Sequence, residues 1–312
     1  SGINLFMVAI TIALIVYFSI VEPSVFPTST NVVNILNQSA TLAIVATGLT
    51  FPLVAGQFDL SFAAVISFSG ILAVGLLVNS GYSWPVAVFL ALLAAAAVGL
   101  ANGLLVTFLR VNPIVVTLGM SSILLGLNYA YSNGTPINLG PGPFTEIAQG
   151  KTLGIPNPII ITAVLMGGLW VLLNFTLLGK HTQAVGANLT ASRFAGVRVS
   201  RVTVISFVIC AVCAGLGGIV LAARIGSGQV TAGDGYTLSA FAAVFLGASV
   251  LRDGEFHIVG TLVGVLIVTI TFNGLSIMGS SSTTQFIFQG GILILATALS
   301  SAARRILAGT IR

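Results

Sequence analysis

Residues 183–202 read QAVGANLTASRFAGVRVSRV. The stretch holds Arg193, Arg198 and Arg201, an asparagine, hydroxyls and two glycines. Apolar runs flank it on both sides, each long enough for a membrane span of about 20 residues. A polar, basic, helix-compatible segment between two spans belongs at a membrane surface. Asn188 is a favourable helix N-cap, and Gly196 a favourable residue just past a helix end. Leu189 to Ala195 therefore predict a surface helix of about two turns, roughly 10 Å long. Arg193 and Arg198 lie near its C-terminal end, where positive charge suits the helix dipole. On the residues alone, this helix either rests on anionic lipid or docks a cytoplasmic partner.

The rest of the chain sets that segment in a bilayer. Of 312 residues, 56% are hydrophobic and 5% charged, against about 25% charged in a soluble domain. So few charges cannot cover a soluble surface. The expectation is an all-α polytopic membrane protein, one transmembrane domain over residues 1–312. Ten apolar segments are long enough to cross: 3–21, 32–55, 60–79, 84–109, 113–131, 157–178, 202–224, 237–251, 258–277 and 284–303. The first has no basic leader and no small-residue cleavage site after it, so it reads as a retained span.

Ten spans put both termini on one side. With the N-terminus cytoplasmic, Arg110, Lys180, Arg193, Arg198, Arg201, Arg252, Arg304, Arg305 and Arg312 fall inside. Only Lys151 and Arg224 fall outside. Cytoplasmic loops carry this basic excess, so span length and charge agree on one topology. The longest outer segment, 132–156, is rich in Gly, Pro and Asn and reads as a turn-rich loop.

Several function classes drop out. The sequence lacks GxxxxGK[ST], so it has no P-loop route to ATP hydrolysis. No basic patch is dense enough for nucleic acid. Cys210 and Cys213 are the two cysteines and sit inside an apolar run. With His181 and His257 in polar loops, the cysteines read as small packing residues, and no metal or cofactor is expected. Asp59 and Asp234 fall on opposite faces in this topology, which excludes a shared aspartyl-protease site. Gly99 with Gly103, and Gly260 with Gly264, have the spacing that lets helices approach closely in lipid. LSFAAVI (60–66) and LSAFAAVF (238–245) resemble each other and would run in opposite directions, which raises the expectation of an inverted repeat.

Polar residues near the spans have two readings each. In VAGQFDLSF (54–62), Gly56 permits a break. Asp59 either caps a helix starting at Leu60 or, with Gln57, lines the path or its gate. Asn128, Tyr129 and Asn273 either line a polar path for a small neutral solute or bond between helices, worth about 0.6 kcal/mol each. Asp234 reads as a cap or docking contact in an outer loop. The lack of paired buried charges argues against an ion-coupled carrier.

AVGANLTASRFAGVRVSRV (184–202) resembles the cytoplasmic coupling segment of ABC importer permeases of the ribose/monosaccharide type. VAGQFDLSFAAVISFSG (54–70), RVNPIVVTLGM (110–120), YSNGTPIN (131–138) and GDGYTLSAFAAVFLGASVLRDGEFHIVGTLVGVLIV (233–268) resemble the same family in the same order. YSNGTPIN favours the sugar branch over branched-chain amino acid permeases. The family usually has GGIDLSVG where this chain has AGQFDLSF, and an acid near Leu189–Thr190.

The resemblance implies a bacterial inner-membrane subunit, with both termini cytoplasmic, that pairs with a second copy or paralogue in the lipid bilayer. It implies a cytoplasmic ATP-binding subunit docking on Gly186, Asn188, Leu189, Thr190, Ala191, Arg193, Phe194, Gly196 and Arg198. It also implies a periplasmic solute-binding protein above, with Asn133, Asn138 and Asp234 as its docking candidates. Branched-chain amino acid, nucleoside or furanose-signal permeases stay open as alternatives, as does a stand-alone carrier.

Overall fold

The computed structural model describes residues 2–251 and 255–310. Arg252 and Arg312, counted above on the inner side, lie outside them. The helices are α1 (Gly2–Val21), α2 (Ser29–Val54), α3 (Phe62–Val78), α4 (Trp84–Phe108), α5 (Pro113–Ser132), α6 (Glu146–Gln149), α7 (Asn157–Phe175), α8 (Leu177–Ala187), α9 (Leu189–Phe194), α10 (Val199–Ile225), α11 (Tyr236–Leu251), α12 (Ile258–Ile277) and α13 (Ser282–Thr310). Nine of the ten apolar segments each fall on one of them, and 157–178 covers α7 and the start of α8. Six (α2, α4, α5, α7, α10 and α12) have the length and apolarity of a complete crossing. The others, α1, α3, α11 and α13, carry shorter apolar stretches. Four two-residue strands form two small antiparallel pairs. β1 (Ile137–Asn138) pairs with β4 (Ser227–Gly228), and β2 (Lys151–Thr152) with β3 (Ile155–Pro156).

The chain forms two compact units, residues 47–237 and residues 1–46 with 238–312. In the first, α10 packs against both α3 and α4, which also touch each other. Gly99 of α4 meets the Phe207 carbonyl and Ala211, and Gly103 meets Val204, so α4 and α10 run antiparallel. Gly218 meets the Ile66 carbonyl and Ala222 meets Gly70, so α3 and α10 run parallel. Missing side chains at these crossings let the backbones touch, which raises dispersion contact where lipid supplies no hydrophobic drive. Phe62, Phe207 and Ile219 fill the remaining space and are wholly buried. Cys210 and Cys213 are free and buried there, as small packing residues should be.

In the second unit, Phe18, Phe26, Ile35 and Ile270 form an apolar cluster. Gly274 of α12 packs on the Phe18 ring, and Gly264 on the Ala243 carbonyl. Asn31 and Asn273 exchange amide hydrogen bonds of 3.0 and 3.1 Å.

Two local features differ from the sequence reading. The polar stretch after α7 is not loop: α8 runs from Leu177 through Ala187 and includes His181. Thr176 breaks the chain there, its hydroxyl taking the Gly179 amide at 3.3 Å. His257 is likewise not a plain loop residue. It caps α12, its Nδ1 accepting the Gly260 N–H at 2.9 Å.

Candidate functional site: the short surface helix and the interrupted segments

The short helix forms where the sequence places it. Asn188 has the extended backbone of an N-cap, and its Oδ1 accepts the Ala191 N–H at 2.9 Å. Gly196 takes φ +81°, which side chains rarely tolerate, and the chain turns there. Ser192 is the one buried residue of α9. Leu189, Thr190, Ala191, Arg193 and Phe194 are exposed. Phe194 is 89% exposed, an unusual state for an aromatic ring. Beneath the helix, Val185, Val199 and Val202 pack together with Val197, holding both flanks in place.

The base of α9 is joined to the end of α2. Gly186, near the end of α8, lies so close to Val54 that a Cβ there would overlap the Val54 carbonyl oxygen. Gly56, at φ +74°, reverses the chain just beyond α2. Residues 57–61 then rise along α10 instead of forming a surface loop. Asp59 is fully buried, and its Oδ1 accepts the Ser61 N–H at 2.7 Å and the Ser61 hydroxyl at 2.6 Å. Its carboxyl also faces the Cys210 thiol, on the twelfth of α10's 27 residues. Ser61 in turn accepts the Asn102 amide at 2.8 Å. The helix starts at Phe62, two residues later than expected, with Ser61 as its N-cap. Asp59 thus caps from two residues further back. The stretch from Val54 to Ser61 links α9's base to the interior of the bundle.

A second interrupted segment, residues 226–235, joins α10 to α11. Part of it packs against α3. Gly233 donates its N–H to Ser67 of α3 at 2.9 Å and sits against the Ala63 carbonyl. Asp59 and Asp234 therefore do not stand at opposite ends of this unit, since both their segments converge on the first turns of α3. They still form no shared site: Asp59 is buried and bonded to Ser61, while Asp234 is exposed. The two similar stretches LSFAAVI and LSAFAAVF each lie at the start of a short helix that follows an interrupted segment.

The other candidates divide. Gln57 is half-buried and Tyr129 half-exposed. Asn128 is buried and donates to the Val230 carbonyl at 3.2 Å. Asn273 is bonded to Asn31. Asn133 ends α5 in the left-handed region at φ 52°. Asn138 lies on β1 opposite Ser227. The contacts of Gln149 and Arg224 were not foreseen in the sequence. Gln149 donates to the carbonyls of Ala223 and Arg224, tying the 132–156 segment to the end of α10. Arg224 donates to the Tyr236 hydroxyl at 3.3 Å. These contacts span up to 75 residues, and no local pattern announces them.

Residues 31–297 match the family model of the branched-chain amino acid transport system permease component. The chain belongs to this permease family. The ribose import permease of Escherichia coli K12 is 39% identical to it over 298 residues, covering 91% of this chain and 90% of the relative. The Bacillus subtilis ribose import permease is 38% identical over 288 residues, covering 92% and 89%. The L-arabinose ABC transporter permease of Azospirillum brasilense is 33% identical over 293 residues, covering 93% and 85%. No solved structure matches. The permease is thus a multi-pass membrane protein, and the matched region runs from α2 into α13.

Proposed function

We propose that this permease is the membrane subunit of an ATP-driven importer for a neutral monosaccharide of the ribose kind. Ten helices cross the inner membrane, with both termini cytoplasmic. Two such subunits enclose one path. A separate ATPase engages α9 through Phe194, Arg193 and the exposed Leu189, Thr190 and Ala191. A solute-binding protein delivers sugar to the outer side, where Asn133 and Asn138 stand near the β1–β4 pair. Gln57, Tyr129 and the interrupted segments border the path.

The observation that carries this reading is the exposure of Phe194 on a helix whose base is locked to Val54. A ring left bare on a rigid mount is a contact awaiting a partner. The overall similarity to ribose, allose and arabinose permeases supports the sugar class. The test is ATP-dependent uptake of labelled ribose into proteoliposomes holding the permease with an ATP-binding subunit and a solute-binding protein of the same importer. Uptake that needs all three components is expected. Ribose entry without ATP would instead make the chain a stand-alone carrier.

A further inference from the structure

The segment between α10 and α11 has the composition of an outer loop but does not stay at the end of the bundle. It starts there: Gly226 turns the chain at φ +70°, Leu139 donates to its carbonyl at 2.8 Å, and β4 pairs with β1. The chain then descends along α3. Gly228 lies against Gly70 and Ile71, and Gly233 against Ala63 and Ser67. From Ile71 back to Ala63 is about 12 Å of helix. Asn128 of α5 holds the Val230 carbonyl part-way down.

The depth follows from helix register. Ile66 opposes Gly218, and α3 and α10 run parallel. Ala63, one turn earlier, therefore stands level with the middle third of α10. That helix has 27 residues and is about 40 Å long, enough to cross a bilayer. The neighbouring contact of Asp59 with Cys210 marks the same level independently. Asp234 is thus held near mid-height of a membrane-spanning unit, and its side chain is exposed, as is that of Thr231.

A carboxylate exposed at that height cannot face acyl chains, because hydrocarbon does not solvate it. Irregular backbone at membrane depth is tolerated only inside protein or beside water. The surface around Asp234 therefore borders water. Phe58 and Tyr129 are exposed on the flanking elements. Leu60, two residues after Phe58, is tied to Ser121 of α5 at 3.1 Å.

We propose that Asp234 lines the water-filled solute path and accepts hydrogen bonds from the hydroxyls of a neutral, polyhydroxylated solute. A carboxylate oxygen makes charge-assisted bonds with hydroxyl donors, and exposed aromatic faces suit the C–H face of a sugar ring. This rests on the importer reading above.

The test is thiol labelling of Asp234→Cys in the assembled importer, with a charged, membrane-impermeant thiosulfonate. Cys210 and Cys213 are buried, so the native chain is the blank. Phe89→Cys, on an exposed apolar face of α4, is the lipid-facing control. Labelling of Asp234→Cys at least about tenfold faster than Phe89→Cys is expected, because thiolate attack needs access to water, and ribose should slow it. Thr231→Cys is the second reporter should the first variant fail to assemble. Neither reporter labelling above the blank overturns the proposal. Labelling that ribose, arabinose and allose all leave unchanged overturns the solute contact. Native uptake of ribose is measured alongside, so failure of the importer reading is seen separately.

Discussion

Gly186 and the carbonyl of Val54 touch backbone to backbone, with no room for a side chain between them. This contact ties the end of α8, which carries α9, to the end of α2, from which the buried Asp59 segment springs. On the proposed function, this contact is where a push on α9 would reach the interior of the bundle.

Replacing Gly186 with alanine inserts a methyl where the Val54 carbonyl stands. Overpacking of this kind costs typically 1–3 kcal/mol. The expected outcome is a lower melting temperature in detergent, together with ATP hydrolysis that no longer drives uptake. Unfolding curves and coupled ATPase and uptake assays check it. Wild-type coupling in Gly186→Ala would show that the Val54 contact transmits nothing.

Phe194→Ala should behave in the opposite way. Its ring is almost free of the rest of the chain, so stability should change by less than about 0.5 kcal/mol. Uptake should fall at least about tenfold, the loss of a contact worth about 1.4 kcal/mol. An unchanged melting curve with reduced uptake is the expected pair of readings. Unchanged uptake would make α9 a lipid-facing helix.

Asn31 and Asn273 separate a structural amide from a path-lining one. Each alone changed to leucine leaves its partner's amide unpaired, at a cost of about 1–3 kcal/mol. The double variant should recover part of that loss. The coupling is expected near the 0.6 kcal/mol average of membrane hydrogen bonds, with about 1.7 kcal/mol as the upper range. A double-mutant cycle on thermal unfolding measures it. Strictly additive losses would point to Asn273 contacting solute instead.

Ser61 links Asp59 to Asn102. Ser61→Ala removes a donor from the carboxylate and the acceptor of the Asn102 amide. A loss of about 1–3 kcal/mol is expected, while Ser61→Thr keeps the hydroxyl and should lose less. A melting temperature that does not move in Ser61→Ala would mean that this bridge contributes nothing.

How much of this was legible in the sequence depends on range. The apolar segments were visible because apolarity is a local property of composition, and six of them have the length of a crossing. The cap at Asn188 and the turn at Gly196 were visible because both are set within a few residues. The break at Thr176 was hidden inside an apolar run. The course of residues 226–235 was hidden for a different reason. Its Gly and Asp content reads as a loop, and the Ser67–Gly233 bond joins residues 166 apart. The sequence reading saw Asp234 only as part of an outer loop and did not see that Gly233, beside it, packs on Ser67 and Ala63 of α3. The Asn31–Asn273 pair, 242 residues apart, was beyond any local rule.

The central claim, that α9 is the mount for a separate ATPase, is tested most directly by crosslinking from its tip. A photoreactive phenylalanine analogue at position 194 would be activated in native membranes that contain the complete importer. A covalent adduct with the ATP-binding subunit, absent when the analogue replaces Phe89, is the predicted result. Adducts with lipid alone would contradict the account.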